Sequence, residues 1–214
     1  MMRRLICTLM LAFATLAAGA RDDIRISATR TVATGEDSSA RYTLALHLYF
    51  FSGSRWQPDE VASMLPGVSA LLRPCDIAIA SAALHIVDAP RRYALYSTPV
   101  ARELLRALPV SRPAIFFVDE TLNRPAYDAE TIGLANSRSR PELAHTIWVA
   151  YGARDLPYAL AHELVHLLSN TGEHSDEAGN LMRDVTSSRN AALTRSQCER
   201  TRERGEAQGL LVHR

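Results

Sequence analysis

The sequence predicts a single α/β domain in which helices pack on a twisted mixed sheet, with a further helix at the C-terminus. Its 214 residues are 47% apolar and 22% charged, a composition typical of one globular domain with a buried core. Along the chain the apolar residues change repeatedly between the spacing of strands and the spacing of helices. No repeat or linker divides the sequence, so we expect its strands and helices to share one core.

In the first half of the chain a strand, a helix and a second strand are predicted. Apolar residues alternate over residues 42–50, as in a strand with one buried face. From Pro58 they recur at helical spacing, and the dipeptide Pro66-Gly67 predicts a kink in that helix. Residues 76–87 have the composition of a second strand.

Further along, two helices and three strands are predicted. A Ser-Thr-Pro start signal at residues 97–99 begins a helix that ends at Pro109. Residues 114–118 form a short apolar run between turn residues, which is typical of a buried strand. The remaining elements in this part are strands over residues 131–135 and 146–151 and a helix over residues 156–169.

The C-terminal helix has a start signal of its own. Thr194 and Gln197 have the spacing of a capping box, in which each side chain bonds the backbone N–H of the other residue. Leu193 precedes them as a hydrophobic staple. The predicted order is therefore strand, helix, strand, helix, three strands, helix, irregular loop and helix.

The N-terminus predicts export. Residues 1–20 have the pattern of a signal peptide, with a basic start, an apolar run and an A-x-A cleavage site at residues 18–20. An uncleaved anchor is the alternative, although the apolar run is shorter than the roughly 20 residues that a spanning helix needs. We therefore expect a secreted or periplasmic protein with no stable membrane span after cleavage. The polar residues 21–40 predict a loose lead-in to the domain.

Cysteine usage agrees with export. Cys7 leaves with the signal peptide, and Cys75 and Cys198 remain as an even pair in a compartment that permits disulfides. We predict that these two form a disulfide, which ties the start of a central strand to the C-terminal helix and adds roughly 2–4 kcal/mol of stability. Two buried, reduced thiols are the alternative.

The charged residues exclude some functions. All 24 basic residues are arginines, so mechanisms that need a lysine nucleophile or a lysine base are excluded. The formal net charge of +1 gives no indication of a nucleic-acid partner.

Candidate metal-binding and catalytic residues lie at positions 162–166, which read H-E-x-x-H inside a predicted helix. Residues four apart lie on one face of a helix, so His162 and His166 can reach one metal ion. Neutral imidazoles suit Zn²⁺, which lowers the pKa of a bound water to about 7, and Glu163 is placed to take a proton from that water. The alternative is two surface histidines beside a glutamate on a solvated helix face.

The residues after this helix extend the pattern. His174 is followed by Ser175, and residues 179–182 read Gly-Asn-Leu-Met and end at Met182. In these features the sequence resembles the metzincin clan of zinc peptidases, in particular its matrixin-like bacterial secreted forms. The resemblance implies a zincin-like fold, His174 as the third zinc ligand, and a methionine turn in which Met182 packs beneath the metal.

A further part of the resemblance lies upstream of the helix. Gly133, Leu134 and Ala135 resemble the edge strand with which an extended substrate pairs in that clan. A peptide adds to such an edge as one more strand, held by main-chain hydrogen bonds. The resemblance thus implies a cleft between this edge strand and the helix that contains Glu163.

The sequence departs from the clan pattern in the turn after the helix. That pattern places a histidine ten residues after the first ligand, whereas His174 lies twelve residues after it. Asn170 or Gly172 then has to supply the left-handed backbone that reverses the chain. Asp176 and Glu177 stay open as alternatives to His174, because oxygen ligands also complete catalytic zinc sites.

Together these features imply an exported zinc metalloendopeptidase, with residues 41–214 as its catalytic domain. Zn²⁺ is the expected cofactor, a protein or peptide the expected substrate, and a monomer the expected state. Two alternatives stay open, an amidase-type zinc hydrolase with a carboxylate as third ligand and a secreted module that binds zinc without catalysis. Glu163 argues against the module, because a structural zinc site needs no base.

Overall fold

A computed structural model of the protein describes residues 24–34, 39–122, 129–132 and 139–214. Within those residues the strands are β1 (Arg25–Ala33), β2 (Tyr42–Phe51), β3 (Ile77–Asp88), β4 (Leu95–Tyr96), β5 (Ala114–Val118), β6 (Glu120–Thr121), β7 (Ala129–Ile132), β8 (Thr146–Ala150) and β9 (Leu211–His213). The α-helices are α1 (Pro58–Leu72), α2 (Thr98–Ala107), α3 (Leu156–Ser169) and α4 (Arg195–Ala207).

The main sheet is mixed, as the sequence predicts. Its strands follow the order β1-β3-β2-β5-β8-β7, and β9 pairs with the first residues of β2. The four central strands are parallel to one another, whereas β1, β7 and β9 are antiparallel to their partners. The short strands β4 and β6 pair with each other in a separate two-stranded sheet. The predicted single α/β domain is therefore confirmed.

Alternate residues of the central strands pack into two different cores, one on each face of the sheet. In β2, Leu46, Leu48 and Phe50 pack with α1 and α3 on one face of the sheet, whereas Tyr49 and Phe51 pack with α2 on the other. This follows from the strand period of two, which sends successive side chains to opposite faces. The α3 face of the sheet is the one that supports the candidate site.

An aromatic ladder crosses the α2 face of the sheet. The rings of Tyr96, Trp148, Phe116, Tyr49 and His85 stack in that order, with centroids 4.8, 4.3, 4.8 and 4.5 Å apart. Cross-strand aromatic pairs of this kind stabilise a sheet beyond the area that they bury. The ladder joins neighbouring strands of the main sheet on the face away from α3.

Four strands were not predicted. Residues 25–33 form β1, antiparallel to β3 from Arg25 opposite Asp88 to Ala33 opposite Ser81, so the prediction of a loose lead-in is wrong for these residues. Most side chains of β1 are exposed, and the strand therefore lacks the alternation of apolar residues by which strands are recognised. The other unpredicted strands are short, with two residues each in β4 and β6 and three in β9.

Helix α4 begins as predicted. The hydroxyl of Thr194 accepts from the backbone N–H of Gln197 at 3.2 Å, and the Gln197 side chain accepts from the Thr194 N–H at 2.8 Å. The predicted disulfide is present, with the Cα atoms of Cys75 and Cys198 4.7 Å apart. It fixes α4 to the turn between α1 and β3.

No helix within the described ranges has the length and apolar character that crossing a membrane requires. Residues 1–20, where the signal peptide is predicted, lie outside those ranges.

Candidate metal centre

Helix α3 places His162, Glu163 and His166 deep in the protein. It packs against α1, α4 and β7, and its residues are buried from Ala159 to the end at Ser169. The exposed fractions of His162, Glu163 and His166 are 3%, 8% and 8%. A helix that is buried on nearly every side has no solvated face, so the alternative of two surface histidines does not apply.

The chain reverses directly after α3. Asn170 has left-handed φ and ψ values of 51° and 44°, and it is thus the one of the two predicted candidates that supplies the turn. The N–H of Thr171 donates to the carbonyl of His166 at 3.3 Å, which closes the end of the helix. The turn brings the chain back towards the face of α3 that carries His162 and His166.

The returning chain carries His174 to the other two histidines. His174 is followed by Ser175, whose N–H donates to the carbonyl of Met182 at 2.7 Å. Met182 is buried, and Gly179 has a positive φ of 80° at the start of the turn that leads to it. The structure thus places the segment 179–182 beside His174, where the sequence predicts the methionine turn.

Three imidazoles meet at one point. The Nε2 atom of His166 lies 2.9 Å from Nε2 of His162 and 3.2 Å from Nε2 of His174. We call His162, His166 and His174 the three-histidine cluster. Among the residues that the structure describes, this cluster is the group able to hold a metal ion, and neither Asp176 nor Glu177 belongs to it.

Hydrogen bonds on the far side of the His162 and His166 rings decide which nitrogen of each carries the proton. Nδ1 of His162 lies 2.8 Å from the carbonyl oxygen of Leu181, and Nδ1 of His166 lies 2.8 Å from the carbonyl oxygen of Thr171. A carbonyl oxygen only accepts, so both Nδ1 atoms must be the donors. Nδ1 of His174 lies 3.5 Å from a carboxylate oxygen of Asp184, which is also an acceptor.

Nε2 of His162 and Nε2 of His166 consequently present lone pairs to each other, and Nε2 of His174 faces that of His166. Lone pairs this close repel unless a cation lies between them, and a metal ion is the cation that such a set of imidazoles binds. Two ligands of a tetrahedral zinc ion at about 2.0–2.1 Å lie about 3.3 Å apart, close to the separations in the cluster. The donor set therefore fits a zinc ion with three histidine ligands and one open position.

The electrostatics of α3 keep these rings neutral in the absence of metal. Burial lowers the pKa of His166 to about 4, assisted by the neighbouring charge of His162 when that ring is protonated. Burial also lowers the pKa of His162, against the opposing effect of the Leu181 carbonyl. Neutral imidazole is the form that binds a metal, so no proton has to leave these two rings before binding near pH 7.

A cavity of about 260 Å³ lies between α3, α4 and the loop that carries His174. Val165, Met182 and Thr201 are among its buried lining residues, and Arg200 lines its exposed part. The cavity adjoins the three-histidine cluster because His174 lines it as well.

The predicted substrate strand is described in part. Strand β7 ends at Ile132, runs antiparallel to β8 and lies at the end of the strand order, next to α3. Gly133, Leu134 and Ala135, the residues assigned to the substrate edge, lie outside the described residues.

Sequence reasoning missed the groups that orient the histidines. Two of them, on Thr171 and Leu181, are backbone carbonyls, which every residue has and which therefore give no signal in a sequence. Asp184 is a side chain that a search for acidic residues near Met182 would find. Its position opposite His174 depends on the turn at Asn180 to Met182.

Comparison with known proteins agrees with the geometry. No protein-family model matches this chain, and no curated protein matches it in sequence. Among solved structures, the chain is similar to the crystal structure of metalloproteinase-II from Bacteroides fragilis, with a TM-score of 0.53 and 20% identity over 79% of this chain. The chain spans about half the length of that neighbour, since the match covers 55% of it. The protein therefore has a metalloproteinase-like fold, and a cluster able to hold a metal lies within it.

Proposed function

We propose that the protein is an exported zinc-dependent peptidase. The observation that carries this proposal is the convergence of the Nε2 atoms of three histidines, together with a buried glutamate on α3, the helix that carries two of them. His162, His166 and His174 would hold the zinc ion, with its fourth position left to water or substrate. The fold shared with a metalloproteinase supports the same interpretation.

The reaction follows from the chemistry of this ligand set. When bound, zinc supplies a Lewis acid that polarises a peptide carbonyl and makes a coordinated water acidic at neutral pH. Glu163 takes the proton from the attacking water and gives it to the leaving nitrogen, in the manner of a general base and then a general acid. Glu163 is buried in α3 and directly follows the first proposed ligand, His162.

The substrate is proposed to be a peptide in extended conformation. Strand β7 lies at the sheet edge next to α3, the helix that carries His162 and His166, so a peptide that adds to this edge would lie beside that helix. The sequence assigns Gly133 to Ala135 to this pairing. The cavity beside His174 offers space for part of such a substrate. A monomer suffices for this arrangement, because one chain supplies all three histidines and the glutamate.

Export is part of the proposal. The Cys75–Cys198 disulfide is stable in the periplasm or outside the cell, where thiols are not kept reduced. This agrees with the signal peptide that the sequence predicts at residues 1–20.

Replacing the base tests the mechanism directly. In Glu163→Gln we expect kcat/KM for a peptide library to fall at least about 100-fold, because the variant cannot accept a proton. Zinc content, measured by elemental analysis after dialysis, is expected to stay at that of the unchanged protein. Glu199→Gln on the exposed side of α4 is the matched control and is expected to retain activity.

The same assay separates the alternatives. Undiminished hydrolysis by Glu163→Gln would contradict the proposed role of the glutamate. A zinc-loaded protein that cleaves simple amides and no peptide would point to an amidase. A zinc-loaded protein that cleaves neither would favour a non-catalytic zinc-binding module.

A further inference from the structure

One peptide unit connects the metal cluster to the turn beneath it. The carbonyl of Leu181 accepts the hydrogen bond from Nδ1 of His162 at 2.8 Å. The N–H of Met182 belongs to the same peptide unit and points in the opposite direction, where it donates to Oδ1 of Asn180 at 2.8 Å. Because a peptide unit is planar, holding its N–H side also fixes the direction of its carbonyl.

The Asn180 side chain is itself held by α4. Its Nδ2 donates to Oε1 of Gln197 at 3.0 Å, and its Oδ1 accepts from Nε2 of Gln197 at 3.2 Å. Oε1 of Gln197 also accepts from the backbone N–H of Thr194, within the capping box. Asn180 is 2% exposed, so its amide is bonded to protein groups on each side.

Backbone groups at both ends fix the orientation of the two amides. The N–H of Thr194 can only donate, so the atom of Gln197 that faces it must be the oxygen. The N–H of Met182 can only donate too, so the atom of Asn180 that faces it must also be an oxygen. Neither amide can be turned over without losing a hydrogen bond to the backbone, and the pair has one arrangement.

From this geometry we infer that Asn180 and Gln197 are positioning residues for the metal site. They hold the Leu181–Met182 peptide plane so that its carbonyl keeps His162 protonated at Nδ1 and turned with Nε2 towards the cluster. Helix α4, which has no ligand of its own, is thereby coupled to the first ligand. The inference rests on the proposed zinc site, because it concerns the affinity of that site.

Zinc affinity, measured by competition with a chromophoric chelator, tests the inference without any substrate. In Asn180→Ala the peptide plane loses its partner, and we expect zinc to bind about 10–100-fold more weakly, as for the loss of other hydrogen bonds that orient ligands. Asn180→Asp keeps an oxygen for the Met182 N–H, and it is expected to recover most of the affinity that Asn180→Ala loses.

A second pair of variants separates positioning from helix capping. Thr194→Ala removes the hydroxyl from the capping box but leaves the Gln197 pair with Asn180, so the melting temperature should fall while zinc affinity stays within about twofold of the unchanged protein. Gln197→Ala removes the anchor on α4 and should weaken zinc binding, less than Asn180→Ala does. It keeps the inference testable where Asn180→Ala does not fold.

The outcomes are distinct for the two proposals. An unchanged protein that binds no zinc would overturn the proposed function. An unchanged protein that binds zinc, together with an Asn180→Ala or Gln197→Ala variant of equal affinity, would overturn the positioning role alone. Equal loss of melting temperature in metal-free and zinc-loaded Asn180→Ala would likewise show a purely structural role.

Discussion

The three-histidine cluster and the pair formed by His47 and His85 both bring imidazole nitrogens close together, with different chemical results. Nδ1 of His47 lies 3.2 Å from Nε2 of His85, the same separation as between His166 and His174 in the cluster. In the pair, however, one ring can donate to the other, and Nδ1 of His85 lies 2.9 Å from the hydroxyl of Thr29. The pair is therefore a chain of donors and acceptors.

In the cluster, the Nδ1 protons of His162 and His166 point away from the centre, towards carbonyls. The direction of the outer hydrogen bonds, rather than the closeness of the rings, distinguishes a metal site from packed histidines. The hydrogen bond between His47 and His85 is the physical reason why these two histidines are not candidate metal ligands. The following experiments test this distinction, in decreasing order of the change that each should produce.

The largest effect is expected on zinc content. Replacing a ligand by alanine, as in His162→Ala, should remove bound zinc after dialysis, since two histidines alone do not complete a site of this kind. His47→Ala is the matched control and should retain the zinc of the unchanged protein. Elemental analysis measures both. Loss of zinc from His47→Ala, or its retention by His162→Ala, would contradict the conclusion that the cluster binds the metal and the pair does not.

The next effect is on stability. Zinc at about 100 times its dissociation constant should raise the free energy of unfolding by about 2.7 kcal/mol, because it binds the folded chain. Thermal unfolding with and without zinc measures this increase, and adding a chelator should reverse it. The increase should persist in His47→Ala and vanish in His166→Ala. A zinc-dependent increase in both variants would place the bound ion elsewhere.

The smallest effect is expected on the pH dependence of the free energy of unfolding. Burial lowers the pKa of His47 and of His85 from the ordinary value of 6.5, and the charge of protonated His47 lowers the pKa of His85 further. Below pH 6.5 the unfolded chain then binds protons that the folded pair does not, so stability is present above this pH and declines as the pH falls through the lowered pKa values.

Replacing one histidine of the pair tests this dependence on pH. Denaturant unfolding of zinc-loaded protein across this pH range should give a shallower decline for His47→Gln than for the unchanged protein. A decline of the same slope in both would mean that the pair does not contribute to it.

Local signals in the sequence predicted most of the elements around the site. The bounds of α3 and β5 are those predicted, because each has a strong apolar pattern bounded by turn residues. The capping box of α4 is likewise a signal contained in a few consecutive positions. The same is true of the turn at Asn170, a residue type that tolerates positive φ.

What could not be predicted depends on contacts between distant segments. The exposed strand β1 is held by its pairing with β3 and has no pattern of its own. The carbonyls of Leu181 and Thr171 act through their positions alone. The link from Gln197 to Asn180 joins residues 17 positions apart, and it becomes visible only when α4 is placed against the turn.

The main sheet separates two cores, and each core contains one tryptophan that can report on it by fluorescence. The chain has two tryptophans, and Trp148 belongs to the aromatic ladder on the α2 face, whereas Trp56 packs at the edge of the core that supports α3. Variants that keep one tryptophan each would emit from one side of the sheet only. Their emission during unfolding would show whether the core around the metal cluster melts together with the far side or before it.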